Sequence, residues 1–155
     1  MNTGIFKYCV LLIVLFISIN LTAQESWWKD KKFKSEKAKS QYEACKMAFI
    51  DIGNGFKFKN PATICNYINI DILLNIISFE KGYYTKDQAL LILEQFMDYF
   101  KIEKFSFQKS YYNNNYAFAI GKYKYNIGEG TRNLNLTVSL NYKNDNWIID
   151  QILIN

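Results

Sequence analysis

The last third of the chain alternates apolar and polar residues in four stretches, with short polar breaks between them. The cleanest is Leu134 to Tyr142, where Leu134, Leu136, Val138, Leu140 and Tyr142 alternate with Asn135, Thr137, Ser139 and Asn141. A strict period of two gives a β-strand one dry face and one wet face. Upstream, EKFSFQKS sets Phe105 and Phe107 against Lys104, Ser106 and Gln108. Asn113 to Asn115 then break the pattern, because Asn tolerates turn conformations. In YAFAIGKYKY, Tyr116, Phe118 and Ile120 share one face and Ala117, Ala119 and Gly121 the other. That small-residue row admits close approach by another group, or a bend at Gly121. Gly128 to Thr131 and Lys143 to Asn146 are turns, and the closing WIIDQILIN is apolar on both faces, as for a strand covered on both sides over part of its length. Together these stretches predict an antiparallel meander.

Ahead of the meander the period lengthens to that of helices. Tyr42, Cys45, Met47, Ala48, Phe49 and Ile52 recur near helical spacing, and Gly53-Asn54-Gly55 is expected to stop that helix. Asn60-Pro61 reads as a cap and first position of a short second helix, Pro61 to Ile68, with Ile64, Cys65 and Ile68 inward. Ile70 to Phe79 reads as a strand. Thr85 and Gln88 form a capping box at the start of a third helix. Its apolar stripe is Ala89, Ile92, Leu93, Phe96 and Phe100.

The first residues change the picture of where the chain works. Met1 to Ala23 combine Lys7, the apolar run CVLLIVLFISI and a small residue at Ala23, which together read as a cleaved signal peptide. Cys9 sits too early to be a lipoprotein cysteine. The expected product starts at Gln24 and is soluble in the periplasm or secreted. Residues 24–40 form a basic lead-in, and residues 41–155 one domain of ordinary size. In the lead-in, six lysines from Lys29 to Lys39 surround Trp27, Trp28 and Phe33. Residues 27–39 either touch an anionic membrane surface weakly or are a solvated lead-in whose tryptophans rest on the domain edge. The second reading is preferred, and the segment is expected to be dispensable for folding. The net charge of +5, reduced by one with the loss of Lys7, is too mild to mark a nucleic-acid binder.

The chemistry is bounded mostly by what is missing. The chain has no histidine, which removes the commonest base and metal ligand. No phosphate loop and no aspartate-rich metal loop is present, so no cofactor is expected. Cys45 and Cys65 remain after export and are either disulfide-bonded or two buried thiols. Asp150 is the best single candidate for a pocket base, sharing a strand face with Ile148 and Ile152, with Tyr84, Tyr99 or Tyr123 as hydroxyl donors. A solvated or structural Asp150 is the preferred alternative, since a lone carboxylate is not a constellation.

The order helix, helix, strand, capped helix and four-strand meander resembles the nuclear transport factor 2-like fold, an α+β cone. KGYYTKDQALLILEQFM, YNNNYAFAIGKYKY and DNWIIDQILIN resemble a family of small exported bacterial proteins of unknown function with that fold. The resemblance covers roughly Cys45 to Asn155 and carries over no catalytic residue. It implies a curved sheet whose concave side is closed by helices, with Tyr84, Phe105, Phe107 and Tyr123 as candidate lining. It also implies a sheet face used by relatives to dimerise, here bearing Asn133, Asn135, Thr137, Ser139 and Asn141. So polar a row predicts a monomer or weak dimer. The leading functional expectation is a non-catalytic binding or association module of the envelope, for an apolar ligand or an envelope protein. The alternative is a small-molecule isomerase or dehydratase using Asp150.

Overall fold

The structure is a computed structural model that describes residues 27–128 and 130–155. The signal-peptide reading, Cys9 and the expected cleavage after Ala23 lie outside the described residues.

Helix α1 spans Glu36–Lys57. Ser35 caps it, accepting from the Ala38 amide at 3.2 Å, and Glu36 places a negative charge by the positive helix end. Its buried stripe is Tyr42, Cys45, Ala48, Phe49, Ile52 and Phe56, while Met47 faces solvent. The expected stop at Gly53-Asn54-Gly55 does not occur, and the helix runs through all three residues. The glycines are there for proximity. A Cβ on Gly55 would lie 2.5 Å from Ile64 Cγ1, and one on Gly53 would lie 3.1 Å from the Phe107 ring. Each glycine is a seat for a neighbouring element rather than a turn.

Helix α2, Pro61–Cys65, is capped by Asn60, which accepts from the Thr63 amide at 3.3 Å. The apolar run Ile70 to Phe79 divides. Strand β1 covers Asp71–Ile76, a tight turn passes Ser78 at φ 57°, and β2 covers Glu80–Thr85. Strand β2 was not expected; three alternating positions over Gly82 to Tyr84 are too few to announce a strand. Helix α3, Lys86–Tyr99, carries both halves of the capping box: the Gln88 amide donates to Thr85 Oγ1, and the Thr85 amide to Gln88 Oε1. Strands β3 (Ile102–Tyr112), β4 (Tyr116–Ile127), β5 (Gly130–Lys143) and β6 (Asn146–Ile154) form the meander.

The six strands make one sheet in the order β2-β1-β6-β5-β4-β3. All neighbours are antiparallel except β1 and β6, which run parallel. Strand β5 pairs with β4 without a slip, as its clean alternation requires. Strand β6 slips against β5: Leu140 faces Ile149 and Ser139 faces Gln151, leaving Asp150 unpaired in a bulge. The inward set therefore changes phase, from Trp147 and Ile149 to Ile152 and Ile154. This is why WIIDQILIN looked apolar on both faces. Strand β3 slips against β4 between Ile102 and Lys104 and again between Phe107 and Lys109.

The helices cover one face of the sheet, and the core lies between. Trp27 and Trp28 belong to that core, at 8% and 5% exposure. Trp28 packs on Tyr42, Phe49 and Tyr112, and Trp27 on Phe107. Ser110 Oγ donates to the Trp27 carbonyl at 2.7 Å, Lys31 Nζ to the Tyr112 carbonyl at 2.8 Å, and the Tyr42 hydroxyl to the Lys29 carbonyl. The expectation that the lead-in is dispensable is thereby corrected. Indole rings bury ~150–250 Å² each, worth about 4–6 kcal/mol at the usual area coefficient. Two of them cannot remain in solvent when a cleft between α1 and β3 will take them.

Candidate functional site

The concave face is the natural place to look for a pocket, and aromatic rings fill it where the lining was expected. Tyr123 is fully buried; its ring packs on Phe96 (5.2 Å) and Phe56 (6.4 Å), and its hydroxyl donates to the Phe100 carbonyl at 2.7 Å. Burial pushes its pKa far above that of an ordinary phenol. Phe105 packs on Phe56 and Phe107 and fills the space over Gly121, where a Cβ would lie 2.9 Å from Phe105 Cζ. The small row Ala117, Ala119 and Gly121 thus admits rings from the protein itself. Phe107 sits between Trp27 and Phe49. Tyr84, at the other end of the strand order on β2, donates to Glu80 at 2.6 Å. That hydrogen bond, with burial and the Glu80 charge behind it, raises the Tyr84 pKa. The four expected lining residues do not meet in one site.

Asp150 stands exposed in the β6 bulge. The period-two reading placed it beside Ile148 and Ile152; the bulge breaks that period, so the isomerase alternative loses its proposed base. Tyr99 is also exposed. A different acid–phenol pair was not foreseen: the Tyr67 hydroxyl donates to Asp51 Oδ2 at 2.5 Å. Burial first, then the bond to Asp51, pushes the Tyr67 pKa far above the ordinary phenol range. Its backbone carbonyl accepts from the Ile149 amide at 2.8 Å, so the pair ties the turn after α2 to α1 and β6. Sixteen residues separate the partners, with no motif to join them.

The two cysteines are free and buried, which corrects the disulfide reading. Cys45 lies twelve residues before the end of α1, roughly 18 Å up the axis, whereas α2 is too short to bring Cys65 back that far. Cys45 accordingly lies among Tyr42 and Tyr112, and Cys65 near Lys86 and Asp87 at the start of α3. Burial pushes the Cys65 thiol up to about 11 and Cys45 higher still. Among the described residues no group of three or more Cys, Asp or Glu is placed to hold a metal ion. A cleft of about 510 Å³ beside the start of α1 is lined by Lys31, Lys32, Lys34 and Lys39 but also by Glu36 and Glu43, and with both tryptophans buried this segment has no indole to offer a lipid interface.

The outer sheet face is the less expected surface. The strand register builds one row across all six strands: Tyr83, Leu73, Gln151, Ser139, Phe118 and Tyr111. The next row is Lys81, Asn75, Leu153, Thr137, Ile120 and Lys109. Tyr116, Asn141 and Ile148 lie above them; Lys122 and Asn135, then Lys124 and Asn133, lie below. Tyr83 is 74% and Tyr111 50% exposed, and Tyr111 stacks on Phe118 at 5.4 Å and 20°. The polar row of β5 is present as expected, but rings and aliphatic side chains from the neighbouring strands flank it. The expected polar row was read from β5 alone.

No protein of curated function matches the chain. Three solved structures illustrate its likenesses. A DUF4783 family protein from Bacteroides uniformis is 19% identical with a TM-score of 0.62, over 68% of this chain and 94% of that one. One from Bacteroides ovatus is 18% identical with a TM-score of 0.60, over 67% and 90%. An NTF-2 like protein of unknown function from Shewanella oneidensis is 11% identical with a TM-score of 0.50, over 72% and 96%. These identities carry the fold, a nuclear transport factor 2-like α+β cone with an open mixed sheet. The family model for a domain of unknown function, DUF4783, matches residues 49–155, and the chain belongs to that family.

Proposed function

We propose that the protein is a non-catalytic association module of the bacterial cell envelope. The observation that carries this reading is the filling of the concave face by Phe56, Phe96, Phe105 and Tyr123 while Asp150 stands in solvent. An acid–base enzyme needs a carboxylate within hydrogen-bond reach of a bound substrate. The exported location rests on the charged start, apolar run and small-residue site of residues 1–23. Native mass spectrometry of protein from its own host tests both parts. The expected species begins at Gln24, or its pyroglutamate form, and retains no small molecule. A stoichiometric apolar ligand would replace the module with a carrier, and an intact Met1 in the membrane fraction would overturn the location.

A further inference from the structure

We infer that the outer sheet face is the docking surface of this module for a different protein, one presenting an apolar strip bordered by acids. The inference rests on the association reading and names its surface and the chemistry of its partner. Three observations carry it. The first is the zoning of the face. One row, from Tyr83 on one edge strand through Leu73, Gln151, Ser139 and Phe118 to Tyr111 on the other, carries no charge. Lysines stand at the margins: Lys81 and Lys109 at the two ends of the second row, and Lys122, Lys124 and Lys104 below. An uncharged, tyrosine-bearing band bordered by charge matches the composition of protein interfaces.

The second observation is size. Six strands at about 4.8 Å spacing and five rows about 6.8 Å apart, two of them spanning all six strands, cover roughly 700 Å² in projection. A stable protein interface takes about 800 Å² from each partner. A face of this extent and zoning suits another folded surface.

The third observation is the sign of the charge. Among the described residues Asp71 is the one acid paired in register on this face, Asp150 lies in the β6 bulge, and the Glu103 carboxylate is already bound to Lys124 at 2.6 Å. A second copy of this chain would bring lysines against lysines or rings, with almost no carboxylate to receive them. Repulsion of that kind selects against self-association, and an acidic border on a partner relieves it.

The test uses the full-length protein expressed in its own host, with a photo-crosslinking phenylalanine analogue replacing Tyr111, and replacing Leu91 on α3 as the control. Leu91 is exposed on the helical side. The expected result is a discrete adduct with another protein from position 111 and none from position 91, with the crosslinked peptide rich in Asp and Glu. Its yield should fall about tenfold in the double variant Lys109→Glu and Lys122→Glu, and again when salt rises from about 0.05 to about 0.5 M. The purified partner should bind the double variant about tenfold more weakly and recover when its own facing acids are changed to lysine. An adduct of two copies of this chain, an adduct with lipid, or a protein adduct indifferent to charge reversal overturns the inference. Adducts from position 91 alone also overturn it while leaving the association module standing. Loss of that module itself would show separately, as a retained small molecule and no protein adduct from either position.

Discussion

The two faces of this one sheet follow opposite rules. On the inner face rings pack among the aliphatic side chains: Tyr123 under Phe96, Phe105 over Gly121, Trp28 against Tyr42 and Tyr112. On the outer face Tyr83, Tyr111 and Tyr116 are exposed, with lysines beside them. The same residue types are thus buried for cohesion on one side and left exposed on the other. The fold supplies a cavity-shaped space, but this chain spends its aromatics on closing it. Searching such a cone for a pocket by analogy with its shape leads away from the surface that stands free.

The comparison breaks first at Trp28. Trp28→Ala should cost about 3–5 kcal/mol, because it empties a site between α1 and β3. Tyr111→Ala on the outer face should stay within about 1 kcal/mol. Urea titrations of both variants give the contrast, and equal costs would dissolve it. The buried face also sets an alkaline limit. Tyr67, Tyr123 and Cys45 keep their protons far above the usual range, Tyr42 up to about 12 and Cys65 up to about 11. In the unfolded chain thiols release theirs near about pH 8.5 and phenols near about pH 10. The native state then binds more protons than the unfolded one, so stability is complete below about pH 8 and falls as pH rises. Urea midpoints should decline steadily from about pH 8.5 upward; a flat profile would mean that water reaches these groups.

Smaller effects sharpen the contrast. Gly121→Ala should cost about 1–3 kcal/mol, since its Cβ would press on the Phe105 ring at 2.9 Å and on the Ser106 carbonyl at 3.0 Å. A thermal melt reads it, and no shift would mean that Phe105 has room to move. Asp150→Asn should change stability by less than about 0.5 kcal/mol, as expected of an exposed bulge residue without structural partners. A large loss would restore that carboxylate to a structural or chemical role.

What could be read in the sequence follows from how local the cause is. Helix α3 needed only Thr85, Gln88 and a stripe, all within fifteen residues, and β5 only its alternation. Both stand where those patterns put them. Gly53 and Gly55 misled because a glycine that admits Ile64 or Phe107 has the same letter as one that ends a helix. Asp150 misled because its face depended on a bulge set by pairing with β5, and a slipped register reverses every assignment beyond it. Trp27 and Trp28 were misjudged because a polar, lysine-rich neighbourhood hides where an indole goes. The outer row was legible strand by strand but not as a row, since only the register joins Tyr83 on β2 to Tyr111 on β3.

The position of β6 has a further consequence, for the order of events in folding. It lies between β1 and β5, and its backbone also holds Ile77 and Asn135 through Ile154 and Asn155. Until Asn146–Ile154 has been synthesised, the β1–β2 hairpin has no strand to join, and the β3–β5 meander ends in an open edge. Local hairpins can form early, but the two halves of the sheet are joined only by a strand some seventy residues downstream of β1. Loop-closure entropy over that separation delays the joining. An incomplete chain therefore carries two unpaired strand edges at once, the condition in which sheets pair with the wrong neighbour.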